Sequence, residues 1–457
     1  MLSRDVVKEI ERVVGPDDLL EESEDRACYS YDANTSGEAP SVVAFPESAE
    51  EVSRILRLAN EHLFPVFPRG AGTGMTGGAV PTAEGVVLVM TRMQRIKEIS
   101  PEDSVAIVEP GVINYELQRE VERRGLFFPP DPASYMYSTI GGNVAECAGG
   151  PRAVKYGVMR DYVLGLEVVL PTGEIIRTGG RTMKGVVGYD LTRLFVGSEG
   201  TLGVITEITL KLLPLPEARE TLLALFGSME EAAGAVAEIF SSGILPSVLE
   251  FMDEPSLRCA ESFLGAQLPE AKALLLVEVD GLKESLGGAM ERVRRACLSS
   301  GAKEVRRATR EEEVEDIWRV RRCLSQAAYA LGPVKVNEDV AVPRSKIPPL
   351  VAGVHALARK FRLPVLCFGH AGDGNIHVNF MIERSEEMRK KVERAVEELF
   401  SLTLSLGGTL SGEHGVGIAK LPFVKMELGP KALEAMKRIK EALDPNGILN
   451  PGKVFLF

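Results

Sequence analysis

The chain has 457 residues, 45% of them hydrophobic and 26% charged, with a formal net charge of -12. That length exceeds what one hydrophobic core usually supports, so at least two domains are expected, and the acidic balance argues against nucleic acid or an anionic membrane surface as partner. Six cysteines lie far apart with no C-x-x-C pair, so neither an iron–sulfur cluster nor a disulfide framework is encoded and a reducing cytoplasm is the expected location.

Residues 1 to 15 carry Arg4, Asp5, Lys8 and Glu9 where a signal peptide needs an apolar core, and space Leu2, Val6, Val7, Ile10, Val13 and Val14 as a short helix. No apolar run reaches the ~18 residues of a membrane span, so any membrane contact is expected to run through another subunit. Val42 to Phe45 reads as a strand, and Ser48-Ala49-Glu50-Glu51 is a capping box for a helix with Val52, Ile55, Leu56 and Ala59 on one face. Phe64 to Phe67 reads as the next strand. It runs into Pro68-Arg69-Gly70-Ala71-Gly72-Thr73-Gly74-Met75-Thr76-Gly77-Gly78, where five glycines in eleven residues let a backbone curl and turn several N–H groups onto one anion. Gly72, Gly74 and Gly77 match G-x-G-x-x-G, but Ala79 to Gly85 is turn-like and Val86 to Met90 is strand-like. With no helix opening from the loop, a nicotinamide site is the weaker reading, and a ligand-free glycine connector is the bland one.

Ser104 to Glu109 is a further strand, followed by a helix from about Asn114 to Arg124. A second glycine-rich region runs from Ser138-Thr139-Ile140-Gly141-Gly142-Asn143 through Ala148-Gly149-Gly150 to Lys155-Tyr156-Gly157, and a third is Gly197-Ser198-Glu199-Gly200-Thr201-Leu202-Gly203 before the strand Val204 to Leu212. Three separated segments of this kind point to one extended ligand rather than a single phosphate.

Pro214-Leu215-Pro216 marks the expected domain boundary. Strand and helix patterns then alternate from Thr221 to Arg307 as a β-α-β-β-α-β unit with an insertion at about 254 to 270, the signature of a ferredoxin-like antiparallel sheet. A helix from Glu312 to about Ala330 carries Trp318, Arg321, Arg322 and Ser325, and the last helix, Lys431 to Leu443, stops at Asp444-Pro445-Asn446-Gly447. Trp318 is read as core rather than as a cofactor stacking surface.

Of the five histidines, three fall in His370-Ala371-Gly372-Asp373-Gly374-Asn375-Ile376-His377 and Ser411-Gly412-Glu413-His414-Gly415. Val365 to Gly369 and Ile376 to Phe380 are strand-like about an Asp373-Gly374 turn, so His370 and His377 can face each other across one hairpin. With Glu413 they make a three-ligand set with an open position, suited to zinc, manganese or ferrous iron; the plain alternative is that these histidines only satisfy turn backbone groups. His414 is the better general base, since an imidazole can accept a hydroxyl proton at neutral pH. Arg321 and Arg322 offer a planar fork for a carboxylate, with Ser325 one turn on and Lys335 and Asn337 as weaker candidates; a solvated helix face is the alternative for each arginine.

These motifs, with Gly188-Tyr189-Asp190-Leu191 and Asn450-Pro451-Gly452-Lys453, resemble the vanillyl-alcohol-oxidase (PCMH-type FAD-binding) superfamily over nearly the whole chain. Within it they are similar to the branch of glycolate oxidase catalytic subunits, FAD-linked D-lactate dehydrogenases and D-2-hydroxyglutarate dehydrogenases. The resemblance implies an α+β protein with a two-part FAD-binding domain at 1–215 (core about 38–215) and a ferredoxin-like substrate domain at 216–457, its final segment 445–457 returning toward the flavin. It implies FAD contacts from Pro68, Arg69, Gly70, Ala71, Gly72, Thr73, Gly74, Pro132, Ser138, Thr139, Gly141, Gly142, Asn143, Ala145, Gly149, Gly150, Tyr156, Glu199, Gly200, Gly203, Val204, Ile205 and Asn450. His370, His377 and Glu413 would hold a divalent metal, zinc first. His414 would be the base, and Arg321, Ser325, Lys335 and Asn379 would meet the substrate. Thr73 stands where relatives with covalent flavin carry His, so the FAD is expected to be dissociable, and Cys147 stands where relatives often have Asn.

On this reading a small D-2-hydroxy acid, D-lactate or glycolate first and D-2-hydroxyglutarate as the alternative, loses its C2 hydride to flavin N5 and becomes a 2-oxo acid. Electrons leave to an iron–sulfur subunit, an electron-transferring flavoprotein, a cytochrome or a quinone, and a homodimer is the candidate assembly. Three rival readings stand beside it: a non-redox metal-dependent hydrolase, a non-catalytic scaffold subunit, and an ether-lipid synthase-type group transfer.

Overall fold

The computed structural model describes residues 2–454 of an α+β chain. It divides into two units, one of residues 2–149, 158–215 and 413–454 and the other of 150–157 and 216–412. The segment that returns to the first unit therefore begins at 413, earlier than the 445 read from the sequence. Among the described residues no helix is long and apolar enough to cross a membrane.

The first unit holds a four-stranded sheet, a five-stranded sheet and the short antiparallel pair of Leu126–Phe127 with Leu213–Pro214. In the four-stranded one the order is Leu19–Leu20, Val42–Ala44, Val86–Val89, Val66–Arg69, and the last two strands run parallel with Val66 opposite Val86. The strand expected at 64–67 lies two residues further on for a local reason. Leu63 takes a left-handed conformation (φ 54°) that ends the helix Ala49–His62, Phe64 N–H closes back on the Ala59 carbonyl at 3.2 Å, and Pro65 has no N–H to give a ladder. That helix buries Val52, Ile55 and Leu56 completely, each contributing about 2 kcal/mol of apolar burial, and the helix Arg4–Val14 adds Val6, Val7 and Ile10 to the same core. The five-stranded antiparallel sheet has the order Ile96–Ser100, Val105–Val108, Val204–Lys211, Val163–Val169, Ile175–Gly179. Residues 448–450 lie along Val66–Arg69, with Val66 N–H donating to Ile448 O and Asn450 N–H to Val66 O, both at 2.8 Å.

The second unit is built on one seven-stranded antiparallel sheet, ordered Glu304–Ala308, Ala218–Phe226, Ala273–Gly281, Val248–Asp253, Val365–His370, Asn375–Ile382, Val334–Ala341. Its first four strands, with the helices Met229–Ser241 and Lys283–Ser299, are the expected ferredoxin-like unit, and the insertion at 254–270 contains the helix Glu254–Leu264. The histidine hairpin extends that sheet beside Val248–Asp253. Because facing residues of paired strands share a side, the register puts Glu250 with His370, Phe368 with His377 and Asp339, and Asn379 with Asn337 on one face. On that face lies an apolar cluster in which Val248, Met252, Leu366, Phe368 and Met381 meet Ile317, Val320 and Leu324 of the helix Glu311–Ala327, which is followed by a short 3₁₀ turn at Ala328–Ala330. A row of polar side chains is thus set into a buried apolar face.

Candidate functional site

The first unit brings the three glycine-rich segments together. A Cβ on Gly70 would lie 2.3 Å from Thr139 Oγ1, and one on Gly200 would lie 3.3 Å from Pro68 Cγ, so these glycines permit backbone contacts that a side chain would block. Thr139 caps the helix Ile140–Glu146 by accepting from Gly142 N–H at 3.2 Å. Asp32, unremarked in the sequence, ties the loop shut, its carboxylate accepting from Gly77 N–H at 2.7 Å and from the N–H groups of Asn34 and Thr35.

The cradle so formed carries unused hydrogen-bonding capacity. Among the described residues the backbone N–H groups of Ala71, Gly72, Thr73, Gly74 and Met75 have no acceptor. Arg69 is 7% exposed, lies over the Tyr29 ring at 5.6 Å and leaves Nη1 buried without a partner, and Ser138 Oγ and Asn143 Nδ2 are buried in the same condition. Burial lowers the Arg69 pKa, opposed by Asp32. Five adjacent N–H donors and a buried guanidinium suit a pyrophosphate, and the flanking hydroxyl and amide suit the polar edge of an aromatic ring system, so the residues fit FAD.

Other expected cofactor contacts have structural work. Asn450 spends its amide on the carbonyls of Gly78 (2.9 Å) and Glu199 (2.6 Å). Glu199, itself left-handed at φ 51°, accepts from Val416 and Gly417 N–H at 2.7 Å each and so holds the loop that carries His414. Ala145 accepts from Glu199 N–H at 2.9 Å, Gly149 leaves room for the Glu413 carboxylate, and Gly203 for Val168. Glu413 and His414 belong to this first unit, where Thr76 Oγ1 donates to the His414 carbonyl at 3.0 Å. Gly150 and Tyr156 fall in the second unit, and the Tyr156 hydroxyl donates to Asp280 at 2.8 Å. Close to Glu199 is Glu146, whose Oε2 is buried; burial, with Glu199 and Asp32 nearby, pushes the Glu146 carboxyl well above the usual range.

In the second unit His370 and His377 meet as expected, their rings edge to face with centroids 5.2 Å apart. Each has a carboxylate at Nδ1, Glu250 for His370 and, at 3.5 Å, Asp339 for His377. The carboxylate at His370 Nδ1 orients that ring and turns its Nε2 to the far side, as in metal-binding and general-base imidazoles. Asp339 also accepts from Asn375 Nδ2 at 2.5 Å and from Gly412 N–H at 2.9 Å. Arg321 reaches the same place from the helix. Its Nε donates to Glu250, its guanidinium lies 4.8 Å from the Phe368 centroid, and its side chain is 13% exposed. Neither terminal nitrogen of Arg321 has an acceptor among the described residues. Burial alone would raise the Glu250 pKa, but Arg321 and His370 outweigh it and hold it down to about 2.

The neighbouring expectations separate. Arg322 turns out toward solvent and pairs with Glu315, so only one of the two arginines enters the site. Ser325 and Lys335 bond each other, Nζ to Oγ at 2.7 Å, at the exposed margin, and burial lowers the Lys335 pKa. Asn379 is 1% exposed and accepts from Asn337 Nδ2 at 2.7 Å, which leaves Asn337 Oδ1 buried without a partner. Trp318 is part-buried against the apolar cluster, its indole N–H 3.4 Å from Glu278, in keeping with a packing role.

Comparison with known proteins shows the family. Residues 40–179 match the FAD binding domain family, and residues 215–454 match the C-terminal domain of FAD linked oxidases. The chain is 46% identical to the glycolate oxidase subunit GlcD of Bacillus subtilis (strain 168), covering 100% of this chain and 97% of that one. It is 39% identical to a D-lactate dehydrogenase of Anaerostipes hadrus over 91% of this chain and 89% of the relative. Among solved structures, p-cresol methylhydroxylase superposes with a TM-score of 0.80 over 98% of this chain and 96% of that one at 19% identity. Alkyldihydroxyacetonephosphate synthase gives 0.79 over 99% and 86% at 21% identity, and at such identities the likeness is one of fold. With a cradle that fits FAD at one end and matches along its length, the chain belongs to the FAD linked oxidases and is an FAD-binding oxidoreductase.

Proposed function

We propose that this enzyme oxidises a small D-2-hydroxy acid, D-lactate or glycolate, to the 2-oxo acid. The observation that supports the reading most is Arg321: a part-buried guanidinium held by its Nε and by the Phe368 ring, with both terminal nitrogens left to take a ligand's carboxylate in the bidentate geometry arginine favours. The relatives named above, a glycolate oxidase subunit and a D-lactate dehydrogenase, point to the same substrate class.

In this proposal Arg321 binds and orients the carboxylate, and His414 takes the proton of the C2 hydroxyl. Bound FAD would supply the two-electron acceptor for the C2 hydride, so that loss of one proton and one hydride would leave the carbonyl. A divalent metal held by His370, His377 and Glu413, zinc first, would supply electrostatic stabilisation of the developing alkoxide. Asn379 and Lys335 would complete the substrate's polar surroundings. The chain has no C-x-x-C pair for a cluster, and relatives are named as subunits, so the electrons are proposed to pass to a separate acceptor: an iron–sulfur subunit, an electron-transferring flavoprotein, a cytochrome or a quinone.

The test is an anaerobic titration of the FAD-loaded protein with D-lactate, glycolate, D-2-hydroxyglutarate and L-lactate. Bleaching of the oxidised-flavin bands by D-lactate or glycolate is expected. Bands that survive all four acids would remove the reading.

A further inference from the structure

We infer that Glu250 is a positioning residue of this site, a single buried carboxylate whose two oxygens set the orientation of Arg321 and His370 together. The inference rests on the reading of Arg321 as the substrate's carboxylate anchor and deepens it.

Glu250 is fully buried in the middle of the strand Val248–Asp253, directly opposite His370 in the sheet register. Its Oε1 faces His370 Nδ1 and its Oε2 accepts from Arg321 Nε. Both oxygens go to side chains. Asp253, three residues along the same strand and equally buried, shows what a structural carboxylate does there. It accepts from Ser256 N–H at 2.9 Å and from Cys367 N–H at 2.9 Å, capping a helix and joining two strands through the backbone. Among the described residues the Glu250 carboxylate accepts from no backbone N–H, and the bonds it makes fix the two groups that the proposed chemistry needs.

The mode of contact with Arg321 is also informative. A carboxylate serving only to neutralise an arginine commonly takes it fork to fork, as Glu291 does with Arg294, through Nε at 2.8 Å and Nη2 at 2.9 Å. Glu250 takes Nε alone. Its second oxygen goes to His370, and the two terminal nitrogens of Arg321 are left without an acceptor among the described residues. The Phe368 ring supports the guanidinium on its face, so Nε bond and ring together fix its plane before any ligand arrives. Such an arrangement lowers the ordering cost of binding, and its loss should weaken carboxylate binding without emptying the FAD cradle.

The experiment is a double-mutant cycle on the FAD-loaded full chain with Glu250→Gln, Arg321→Met and the pair together. Binding of oxalate, an unreactive dicarboxylate probe, is followed by calorimetry, and flavin reduction by D-lactate is followed anaerobically. Glu250→Gln is expected to retain FAD and weaken oxalate at least tenfold, and the double variant to bind oxalate no worse than Arg321→Met alone. Native-like oxalate binding by Glu250→Gln overturns the inference, as do losses that simply add, or a native protein that binds no oxalate. If Glu250→Gln fails to hold FAD, Glu250→Asp decides: it keeps the charge but is one methylene too short to reach both partners. Weak oxalate binding by that variant upholds the inference, and native-like binding overturns it. A native protein that binds oxalate yet is bleached by no hydroxy acid sinks the proposed reaction while leaving the oxalate series to judge Glu250.

Discussion

The glycine cradle of the first unit and the polar patch of the second offer hydrogen-bond donors in opposite ways. The cradle uses backbone: five consecutive N–H donors offered by Ala71 to Met75, with buried carboxylates such as Asp32 and Glu199 tying N–H groups of the neighbouring loops. The patch uses side chains: Arg321, His370 and His377 project from separate elements, and Glu250 fixes Arg321 and His370. The buried carboxylates record the difference. Glu146, set beside Glu199 and Asp32, has its pKa driven up, whereas Glu250, set between Arg321 and His370, has its pKa held down to about 2. A backbone site tolerates many side-chain changes and fails when the chain cannot take its path, while a side-chain site fails at single atoms.

The largest effect should come from the patch. On the proposed reading, Arg321→Met removes the anchor of the substrate carboxylate and should lower the efficiency of flavin reduction about a thousandfold, measured by stopped-flow, with FAD still bound. Next comes acid stability. Because the Glu250 pKa is depressed in the folded state, the pairing stabilises above the ordinary carboxylate range and is lost as pH falls from 4.5 through about 2, a change of about 3 kcal/mol. Glu146 has the opposite sign, its raised pKa giving stability that is present below 4.5 and lost as pH climbs through its higher folded value. Melting temperatures across the pH range should therefore show the acid limb flattened in Glu250→Gln and the alkaline limb flattened in Glu146→Gln; the same limbs in both variants would contradict the contrast.

In the cradle, Gly72→Val should weaken FAD about 100-fold by equilibrium dialysis, since Gly72 sits at φ 69° and a Cβ there would press into the Arg69 guanidinium. The smallest effect concerns Cys147, a left-handed residue (φ 54°) at the end of the helix Ile140–Glu146. Asparagine tolerates that conformation better, so Cys147→Asn should raise stability by up to about 1 kcal/mol in a denaturant melt.

What the sequence made legible follows the same division. The glycine loop could be read directly, because backbone freedom is written in composition, and the hairpin that joins His370 to His377 could be read from its Asp373-Gly374 turn and strand-like flanks. Glu250 could not: it lies 120 residues before His370, in the run Val248-Leu249-Glu250-Phe251-Met252, and only the pairing of two distant strands brings them together. A charged residue in the centre of an otherwise apolar strand was the available signal. Asp339 was hidden likewise, in Val334–Ala341. The parallel pairing of Val66–Arg69 with Val86–Val89 was also out of reach, since a loop between two strands without a crossover helix usually closes a hairpin. The inward turn of Arg321 and the outward turn of Arg322 depend on which helix face meets the sheet, and two adjacent arginines do not reveal that.

The central claim, that a hydroxy acid anchored by Arg321 gives its C2 hydride to the flavin, is tested most directly by mixing the FAD-loaded protein anaerobically with D-lactate and with C2-deuterated D-lactate. The account predicts that both bleach the oxidised flavin and that deuterium slows the bleaching severalfold. An oxidised spectrum unchanged by either acid, with glycolate equally inert, would contradict it.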